Sequence, residues 1–291
     1  NMNLDDVFRC DLPGLECHNL ITLNGEYYDY DNQIIELRNG AIMGSLRAAR
    51  QKYPELTKPY FSQLTDYSSD GLTALAALYA LDGIFIYIPD DTIMDKPIQI
   101  INIGYTSGDA SIHNRNMFVL GKNSNAGVIF CDHTLSFNRF LTNSLTEIQI
   151  QQRAVFNLTM MQNEHNQSSH LSHININQEE DSYCRSHFIS LNGAFIRNNL
   201  DVTLNGKNCK NYSFGIATAE QDQYIDNQVV VKHMHPGSES TQLFKNVLDG
   251  KSEATFNGKV YVAKDAQKTN AFQTSRSLLL NNTAKVNNKP E

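Results

Sequence analysis

Several kinds of feature are scarce or absent in this chain of 291 residues. It contains no tryptophan, 19% of its residues are charged, and its formal charge is −7. It has no basic run, whereas electrostatic binding of nucleic acid usually recruits on the order of six to ten Lys or Arg contacts. It also has no apolar run near the roughly 20 residues that a membrane helix requires. The sequence therefore predicts neither a nucleic-acid partner nor a membrane partner.

Sequence signatures of common catalysts and of export are missing as well. The chain has no phosphate-binding glycine loop, no G-x-S-x-G nucleophile elbow and no H-E-x-x-H zinc motif. Its first residues, Asn1–Asp6, lack the basic and apolar regions of a secretory signal. An odd set of cysteines without C-x-x-C spacing is typical of free thiols in a reducing cytosol. These cysteines are Cys10, Cys17, Cys131, Cys184 and Cys209. We therefore expect a cytoplasmic protein.

Residues 1–82 are predicted to form an N-terminal region, irregular at first and helical from about residue 41. Two short apolar runs near the start each end at an Asn-Gly turn signal. The run 46–53 is rich in strong helix formers. Pro54 should interrupt this helix, because proline cannot donate the interior hydrogen bond.

A second helix fits residues 72–81, with Asp70 or Ser69 as its N-cap. Its leucines fall on adjoining turns and form a stripe that could cover an apolar surface. The leucines are Leu72, Leu75, Leu78 and Leu81. The N-terminal region should therefore offer an apolar helix face to the rest of the chain.

Residues 83–291 show a different pattern, in which apolar residues alternate with polar ones. Runs such as Glu147–Gln151 and Leu200–Leu204 imply strands with one buried face and one face in water. A polar turn, one small residue and a strand then recur at intervals of 28, 28, 27, 45 and 30 positions. The small residues are Ala126, Ala154, Ser182, Cys209, Ala254 and Ala284. A near-constant period favours stacked coils that stabilise one another.

We therefore predict a mainly β protein whose core, 83–291, is a β-solenoid. A sandwich of hairpins is the rival interpretation, because it also gives short alternating strands at regular spacing. The long interval of 45 residues contains Thr241–Leu248, which reads as a single helix followed by the Asp249-Gly250 turn. That interval should be one turn of the solenoid that carries an inserted helix.

Histidine pairs are the first candidates for metal binding. His233 and His235 would lie on one face of a strand, but two ligands make a weak site when structural zinc takes four. His165, His170 and His173 lie in a polar stretch and could converge across a turn. In both cases we favour structural or solvated histidines over a metal site.

Cysteines and acids are the candidates for catalysis. Cys131 and His133 lie on one side of a strand, yet a nucleophile also needs a third group that orients its base. Cys184 and Cys209 occupy repeat positions where other units carry Phe156 or Ala154, so we interpret them as core residues. The acids Glu179–Asp181 lie in a predicted turn, where carboxylates are usually solvated. We assign no catalytic, cofactor-binding or metal-ligating residue, and we expect a noncatalytic protein.

Several segments resemble the SufD members of the SufB/SufD family, which belongs to the Suf machine for iron–sulfur cluster assembly. The resemblance covers roughly residues 40–291, and its most specific part is the run Asp265–Ala271. The other matching segments are Asp82–Pro89, Phe130–Leu135, Ser240–Lys251 and Ala254–Val262. It implies a helical N-terminal region, a right-handed parallel β-helix and a helical C-terminal region.

The resemblance also implies partners, namely a SufB-like sister subunit and a SufC-like ATPase. The iron–sulfur cluster and ATP would then be handled by the complex, with no cofactor in this chain. The family's Cys-Ser-His-Gly-Ala-Thr motif would follow Glu291, so no cluster ligand is carried over, and the C-terminal helices are expected to be missing. Where many relatives have His-Cys, this chain has Gly237-Ser238.

The sequence thus predicts a scaffold subunit that joins a sister β-helix through the edge of its end coil. We also expect homodimers through this edge, since unpaired strand edges at a solenoid end tend to associate. Two alternatives remain: a SufB-type paralogue with the same core, and a β-helix enzyme acting on polysaccharide. The enzyme would need two carboxylates held roughly 5 to 9.5 Å apart in a groove.

Overall fold

The structure, a computed structural model, describes residues 15–29, 31–68 and 70–291. Its core is a parallel β-solenoid of about 7 turns. Each turn adds one strand to each of two sheets, and the core strands pair in parallel with the turns before and after. The predicted β-solenoid is confirmed, and the hairpin sandwich is wrong. Cys10 and the alternative N-cap Ser69 lie outside the described residues.

The described strands run in chain order as follows: β1 (His18–Leu23), β2 (Glu26–Tyr27), β3 (Ile34–Glu36), β4 (Ile42–Ser45), β5 (Ile84–Ile88), β6 (Ile98–Gly104), β7 (Ala110–Leu120), β8 (Asn125–Thr134), β9 (Phe140–Ile150), β10 (Val155–Asn163), β11 (Ser169–Gln178), β12 (Tyr183–Asn192), β13 (Phe195–Leu204), β14 (Lys210–Ala219), β15 (Tyr224–His233), β16 (Glu239–Leu248), β17 (Glu253–Val262), β18 (Asn270–Leu279) and β19 (Lys285–Pro290). The described helices are α1 (Leu46–Lys52), α2 (Pro54–Thr57) and α3 (Gly71–Tyr79). Sheet A holds β1, β2 and the even-numbered strands from β6 to β18. Sheet B holds β3, β4, β5 and the odd-numbered strands from β7 to β19.

One turn geometry recurs before the strands of sheet A. Two positions before each strand from β8 to β18, a residue has left-handed backbone torsions, with φ between 56° and 78°. These residues are Asn123, Arg153, Asp181, Asn208, Gly237 and Lys268. Asn, Asp and Gly tolerate this conformation best. A small or short polar residue follows each of them, and three of the predicted repeat residues, Ala154, Ser182 and Cys209, hold this position. In the first of these coils the position is held by Ser124 and not by the predicted Ala126.

The interval of 45 residues is not an insertion, and the helix expected inside it is wrong. Thr241–Leu248 belongs to β16, which pairs in parallel with β14 and β18. The coil position after Cys209 is held by Ser238, whose hydroxyl accepts a hydrogen bond from the Cys209 amide at 3.1 Å. The repeat read from the sequence followed sheet A as far as Cys209, but its next member, Ala254, lies in β17 of sheet B. Both sheets present small residues near their strand starts, so the spacing alone did not separate them.

The solenoid interior is a stack of side chains, one layer per coil. Phe156 and Cys184 are neighbours in register, and both are fully buried. Further along, Gly215 lies between Phe188 and Phe244 in the stack, and the two rings approach to 6.4 Å between centroids. A Cβ at Gly215 would overlap the Phe244 ring. The missing side chain therefore lets rings from two non-adjacent coils meet.

The helical part of the N-terminal region packs on the outer face of sheet B, whereas its strands β1 to β4 extend the two sheets. Pro54 interrupts the first helix as expected and begins α2. α3 starts at the predicted cap, Asp70, whose carboxylate accepts the Leu72 amide at 2.8 Å. Within the described ranges, no helix is long and apolar enough to cross a membrane.

The leucine stripe of α3 does not form the contact with the solenoid. The buried residues of α3 are Thr73 and Ala76, whereas Leu78 is 77% exposed. The reason is the polar character of the strand face below. The Thr73 hydroxyl lies 2.9 Å from Nδ1 of His173, and the Asn143 amide donates to the Leu72 carbonyl at 2.9 Å.

A buried ion pair on sheet B, between Arg115 and Glu147, binds residues of the N-terminal segment that covers this sheet. We call this segment the cover. The Arg115 guanidinium donates from Nε to the Glu147 carboxylate at 2.9 Å, and the two side chains are 6% and 0% exposed. Residues of the cover complete the site, because Arg115 also donates to the Tyr67 hydroxyl at 2.7 Å and Thr65 donates to Glu147 at 2.9 Å. Removing one partner from a buried pair leaves an uncompensated charge, which is strongly destabilising.

We expect Arg115→Ala to lower the free energy of unfolding by about 3 kcal/mol or more. The matched control is Arg139→Ala, because Arg139 forms an exposed pair with Asp109 and exposed pairs add little to stability. Urea unfolding curves of both variants give the comparison. Equal losses in the two variants would contradict the role assigned to the buried pair.

Candidate functional site

The last described coil has an open edge on both sheets. Among the described residues, β18 pairs only with β16, and β19 pairs only with β17. Backbone groups of successive strand residues point to opposite edges of a strand. The amides of Asn270 and Leu280 donate to the preceding coil. The N–H and C=O groups of alternate residues from Ala271 to Leu279 therefore face the open edge.

Pro290 fits the same geometry. Lys285 donates to the preceding coil through its amide, so the position of Pro290 in β19 faces the open edge. Proline has no N–H to pair, and within sheets it is tolerated at edges for this reason. Both strands thus keep their bonds to the solenoid and leave the other edge available.

Apolar side chains accompany the open edge. Phe272, Leu278 and Leu280 are each more than half exposed, at 57%, 58% and 56%. Tyr261 on β17 is 50% exposed. Exposed apolar residues beside an unpaired edge are typical of a protein–protein interface. We call this set, with β18 and β19, the terminal edge.

Sequence reasoning expected an adhesive solenoid end but did not identify these side chains. One signal was present in the run Leu278–Leu280, where three consecutive leucines break the alternation of a half-buried strand. A strand with one wet face needs apolar residues only at every second position. The additional leucine indicates that a further apolar surface contacts this strand.

The histidine candidates do not converge on a metal site. His233 is fully buried with Nε2 2.9 Å from the Ser240 hydroxyl, whereas His235 lies exposed in the following turn. His170 points into the solenoid and His173 points out of it, because they are three positions apart on one strand. His165 lies in the preceding turn. In the described part of the chain, no group of three His, Cys, Asp or Glu side chains is placed to hold a metal ion.

The cysteine candidates are packed in the structure. Cys184 and Cys209 are fully buried, and burial raises the pKa of Cys184 to about 12 and also raises that of Cys209. Cys131 is buried and accepts a hydrogen bond from the Gln99 amide at 3.4 Å. Burial lowers the pKa of His133. A raised thiol pKa disfavours the thiolate that nucleophilic chemistry requires.

The acids Glu179–Asp181 form the turn between β11 and β12, as expected. Their side chains accept hydrogen bonds from neighbouring coils: Gln149 donates to Glu179, Gln152 to Glu180 and Asn208 to Asp181. These hydrogen bonds therefore connect neighbouring coils of the solenoid. A separate polar groove of about 600 Å³ lies between residues 63–73 and sheet B. Its three acids are engaged, since Asp66 accepts from the Ser68 hydroxyl at 2.6 Å, Asp70 caps α3, and Asp201 pairs with Lys232 at 2.8 Å.

A buried polar cluster lies inside the early coils. His170 Nδ1 lies 3.1 Å from the Glu164 carboxylate, and both side chains are at most 6% exposed. Asp132 is also buried and accepts from the Asn102 amide at 2.7 Å. Burial alone would lower the pKa of His170, but the adjacent Glu164 carboxylate outweighs burial and raises this pKa to about 9. His170 is therefore protonated at neutral pH and lies within ion-pair distance of Glu164.

Two family models match the chain. The SufBD core domain of the SUF system for FeS cluster assembly matches residues 103–291, and the SufBD protein N-terminal region matches residues 1–100. The chain is 30% identical to the iron–sulfur cluster assembly protein SufD of Escherichia coli, over 67% of this chain and 47% of that protein.

Two further relatives cover more of the chain. It is 24% identical to an iron–sulfur cluster assembly SufBD family protein of Synechocystis, over 96% of this chain and 64% of the relative. It is 27% identical to the chloroplastic protein ABCI7 of Arabidopsis thaliana, over 82% of this chain and 53% of the relative. The chain thus spans about half to two thirds of the length of these relatives.

The His170–Glu164 pair predicts a pH dependence of stability. A His whose folded pKa is raised contributes stability that is complete below its unfolded pKa, about 6.5, and is lost as pH rises through about 9. We expect the free energy of unfolding to fall by up to about 3 kcal/mol over this window. His170→Gln should reduce this decrease in the free energy of unfolding, whereas the exposed control His235→Gln should leave it unchanged. Urea unfolding at several pH values measures both, and an unchanged slope in His170→Gln would refute the assignment.

The terminal edge predicts self-association of the 291-residue chain. Gln273 presents its amide to the open edge, so Gln273→Pro removes a donor without breaking a bond to the preceding coil. We expect light scattering at high concentration to show dimers for the unaltered chain and monomers for Gln273→Pro. The control Thr218→Lys places a charge on the exposed outer face of β14, which is paired on both sides, and should leave dimers. A strictly monomeric unaltered chain would contradict the prediction.

Proposed function

Because this chain belongs to the SufBD family of iron–sulfur cluster assembly proteins, we propose that it is a noncatalytic scaffold subunit of a SufBCD-type complex. Its role is to present a rigid surface on which partner subunits assemble. The observation that carries the proposal is the terminal edge, where unpaired backbone groups and exposed apolar side chains occur together. A surface of this kind suits permanent pairing with another strand edge.

The partner at the terminal edge is a SufB-like sister subunit. A sister β-helix would offer a strand edge with the same spacing of about 4.8 Å between coils, so the two solenoids can continue each other's sheets. Burial of Phe272, Leu278 and Leu280 adds an apolar contribution to the backbone hydrogen bonds. A second copy of this chain can use the same edge when the sister subunit is absent.

A SufC-like ATPase is the third component. The sequence has no phosphate-binding glycine loop, so ATP hydrolysis belongs to another chain of the complex. The iron–sulfur cluster is the cargo of the assembly. The packed cysteines support a noncatalytic role for this subunit, because Cys184 and Cys209 fill the solenoid core.

The compartment that we propose is the cytoplasm. The thiols of Cys184 and Cys209 are buried in separate coils, which suits a chain that folds without disulfides. One relative is named chloroplastic, so the plastid stroma is the second candidate. Localisation of the tagged full-length protein separates the two.

The SufB-type paralogue shares the core fold and is the main alternative within the family. A polysaccharide-acting enzyme has weaker support, because Asp70 and Asp201 in the polar groove are already engaged with a helix amide and with Lys232. Both alternatives are decided by which chains bind the full-length protein.

The decisive experiment is co-purification of the full-length protein with SufB-like and SufC-like proteins from the same source, in reducing buffer. We expect a complex that contains all three chains. In the 291-residue chain, Gln273→Pro should lose the SufB-like chain, and Thr218→Lys on the fully paired strand β14 should retain it. Failure of the unaltered protein to co-elute with either partner would refute the scaffold proposal. Co-elution with a SufD-like chain instead of a SufB-like chain would indicate the SufB-type paralogue.

A further inference from the structure

A cavity of about 560 Å³ lies in the N-terminal region, between α1, α2 and the segment that follows α3. It lies away from the terminal edge and has no part in the scaffold proposal. Its walls carry four cationic side chains and a single carboxylate, that of Asp82. The cations are Arg47, Arg50, Lys58 and Arg115. In a chain with a net charge of −7, this is a local concentration of positive charge.

Two of the cations are paired and form the fixed wall of the cavity. Arg115 makes the buried pair with Glu147. Arg47 lies 3.4 Å from the Glu26 carboxylate and 3.9 Å from that of Asp82. Asp82 is itself held in place, since it accepts the Ser45 hydroxyl at 2.8 Å. These groups fix the geometry and have little charge left to offer a ligand.

The other two cations, Arg50 and Lys58, have no carboxylate within ion-pair distance among the described residues. Arg50 is nevertheless oriented, because its guanidinium carbon lies 3.9 Å from the centroid of the Phe61 ring. The Arg115 guanidinium lies 3.7 Å from the same centroid. Two guanidinium groups this close to one centroid cannot share a face, so the ring lies between them. Stacking leaves the N–H edge of Arg50 available for two oxygens of an anion.

Apolar side chains line the cavity next to these charges. Leu46 and Phe61 contribute to the wall, and Leu81 lies at the opening with 70% of its surface exposed. A volume of this size suits a small molecule, whose binding sites combine apolar walls with a few polar anchors. An apolar body placed here would cover Leu81 and remove it from water.

We propose that this cavity binds a small anionic ligand, in which a phosphate or carboxylate group is attached to an apolar ring. Arg50 donates hydrogen bonds to two oxygens of the anion, and Lys58 adds a point charge. The ring lies against Leu46 and Leu81. Since the site is far along the chain from the terminal edge, ligand binding and subunit pairing are separable properties.

The test is isothermal titration of the 291-residue chain with phenyl phosphate, benzoate, inorganic phosphate and phenol. We expect saturable binding of phenyl phosphate or benzoate, weaker binding of inorganic phosphate and none of phenol. The stronger of the first two probes identifies the oxyanion. Arg50→Gln and Lys58→Gln should each weaken binding about tenfold, the usual effect of losing one charge-assisted contact.

The controls are Arg38→Gln and Lys251→Gln, which remove exposed charges outside the cavity and should leave affinity unchanged. Circular dichroism verifies that every variant stays folded. The proposal is overturned if neither phenyl phosphate nor benzoate shows saturable binding. Equal weakening in cavity and control variants also overturns it, since that result indicates nonspecific attraction. Binding of phenol as tight as that of phenyl phosphate would show an apolar site without anion recognition.

Discussion

Parallel register between successive coils is the constraint on which the rest of the structure depends. Each strand of sheet A from β8 to β18 meets its equivalent in the next coil residue by residue, with one shift at Asn163 near the end of β10. A side chain therefore has a fixed neighbour above and below, and its chemistry must suit both. Aromatic rings lie against aromatic rings, amides bond to amides, and turn residues repeat with the same left-handed torsions. One coil out of register would misplace the whole column of side chains.

The same constraint explains the two surfaces that matter for function. At the terminal edge, β18 and β19 each pair with one strand among the described residues. Near the other end, the N-terminal region covers the outer face of sheet B and brings polar and charged groups with it. The Arg115–Glu147 pair is the centre of that cover, and the cationic cavity forms where the cover does not fill the space beside it. Assembly and ligand binding thus occupy different parts of one elongated molecule.

Much of the fold was predictable from the sequence because the signals are local and repeated. Alternation of apolar residues identified the strands, and a small residue after each polar turn identified the coils. The helix expected at Thr241–Leu248 was wrong for a local reason. Leu243, Phe244, Val247 and Leu248 follow helical spacing, whereas in the strand they are divided between its two faces. The inward residues Gln242 and Asn246, which pack in the interior of β16, concealed its period of two.

The functional surfaces were less predictable because they depend on distant residues. Whether a strand edge is open depends on the presence of another strand, and no residue of β18 encodes that alone. The cationic cavity joins Arg50 to Arg115 across 65 positions, through a phenylalanine between them. The leucine stripe of α3 was visible, but the polar face of sheet B, where His173 bonds Thr73, decided which side of the helix is buried.

The recurring left-handed turn has a consequence for how such a molecule can change length. Coils differ by a few residues, yet each returns to the same bend two positions before its strand. Differences in the number of residues per coil are thus accommodated between these turns and do not change the register of the neighbouring coil. A whole coil could be duplicated, deleted or grafted from a relative at these bends, provided that its inward side chains match those above and below. The architecture is modular, and its natural unit of evolution and of engineering is one circuit of the chain.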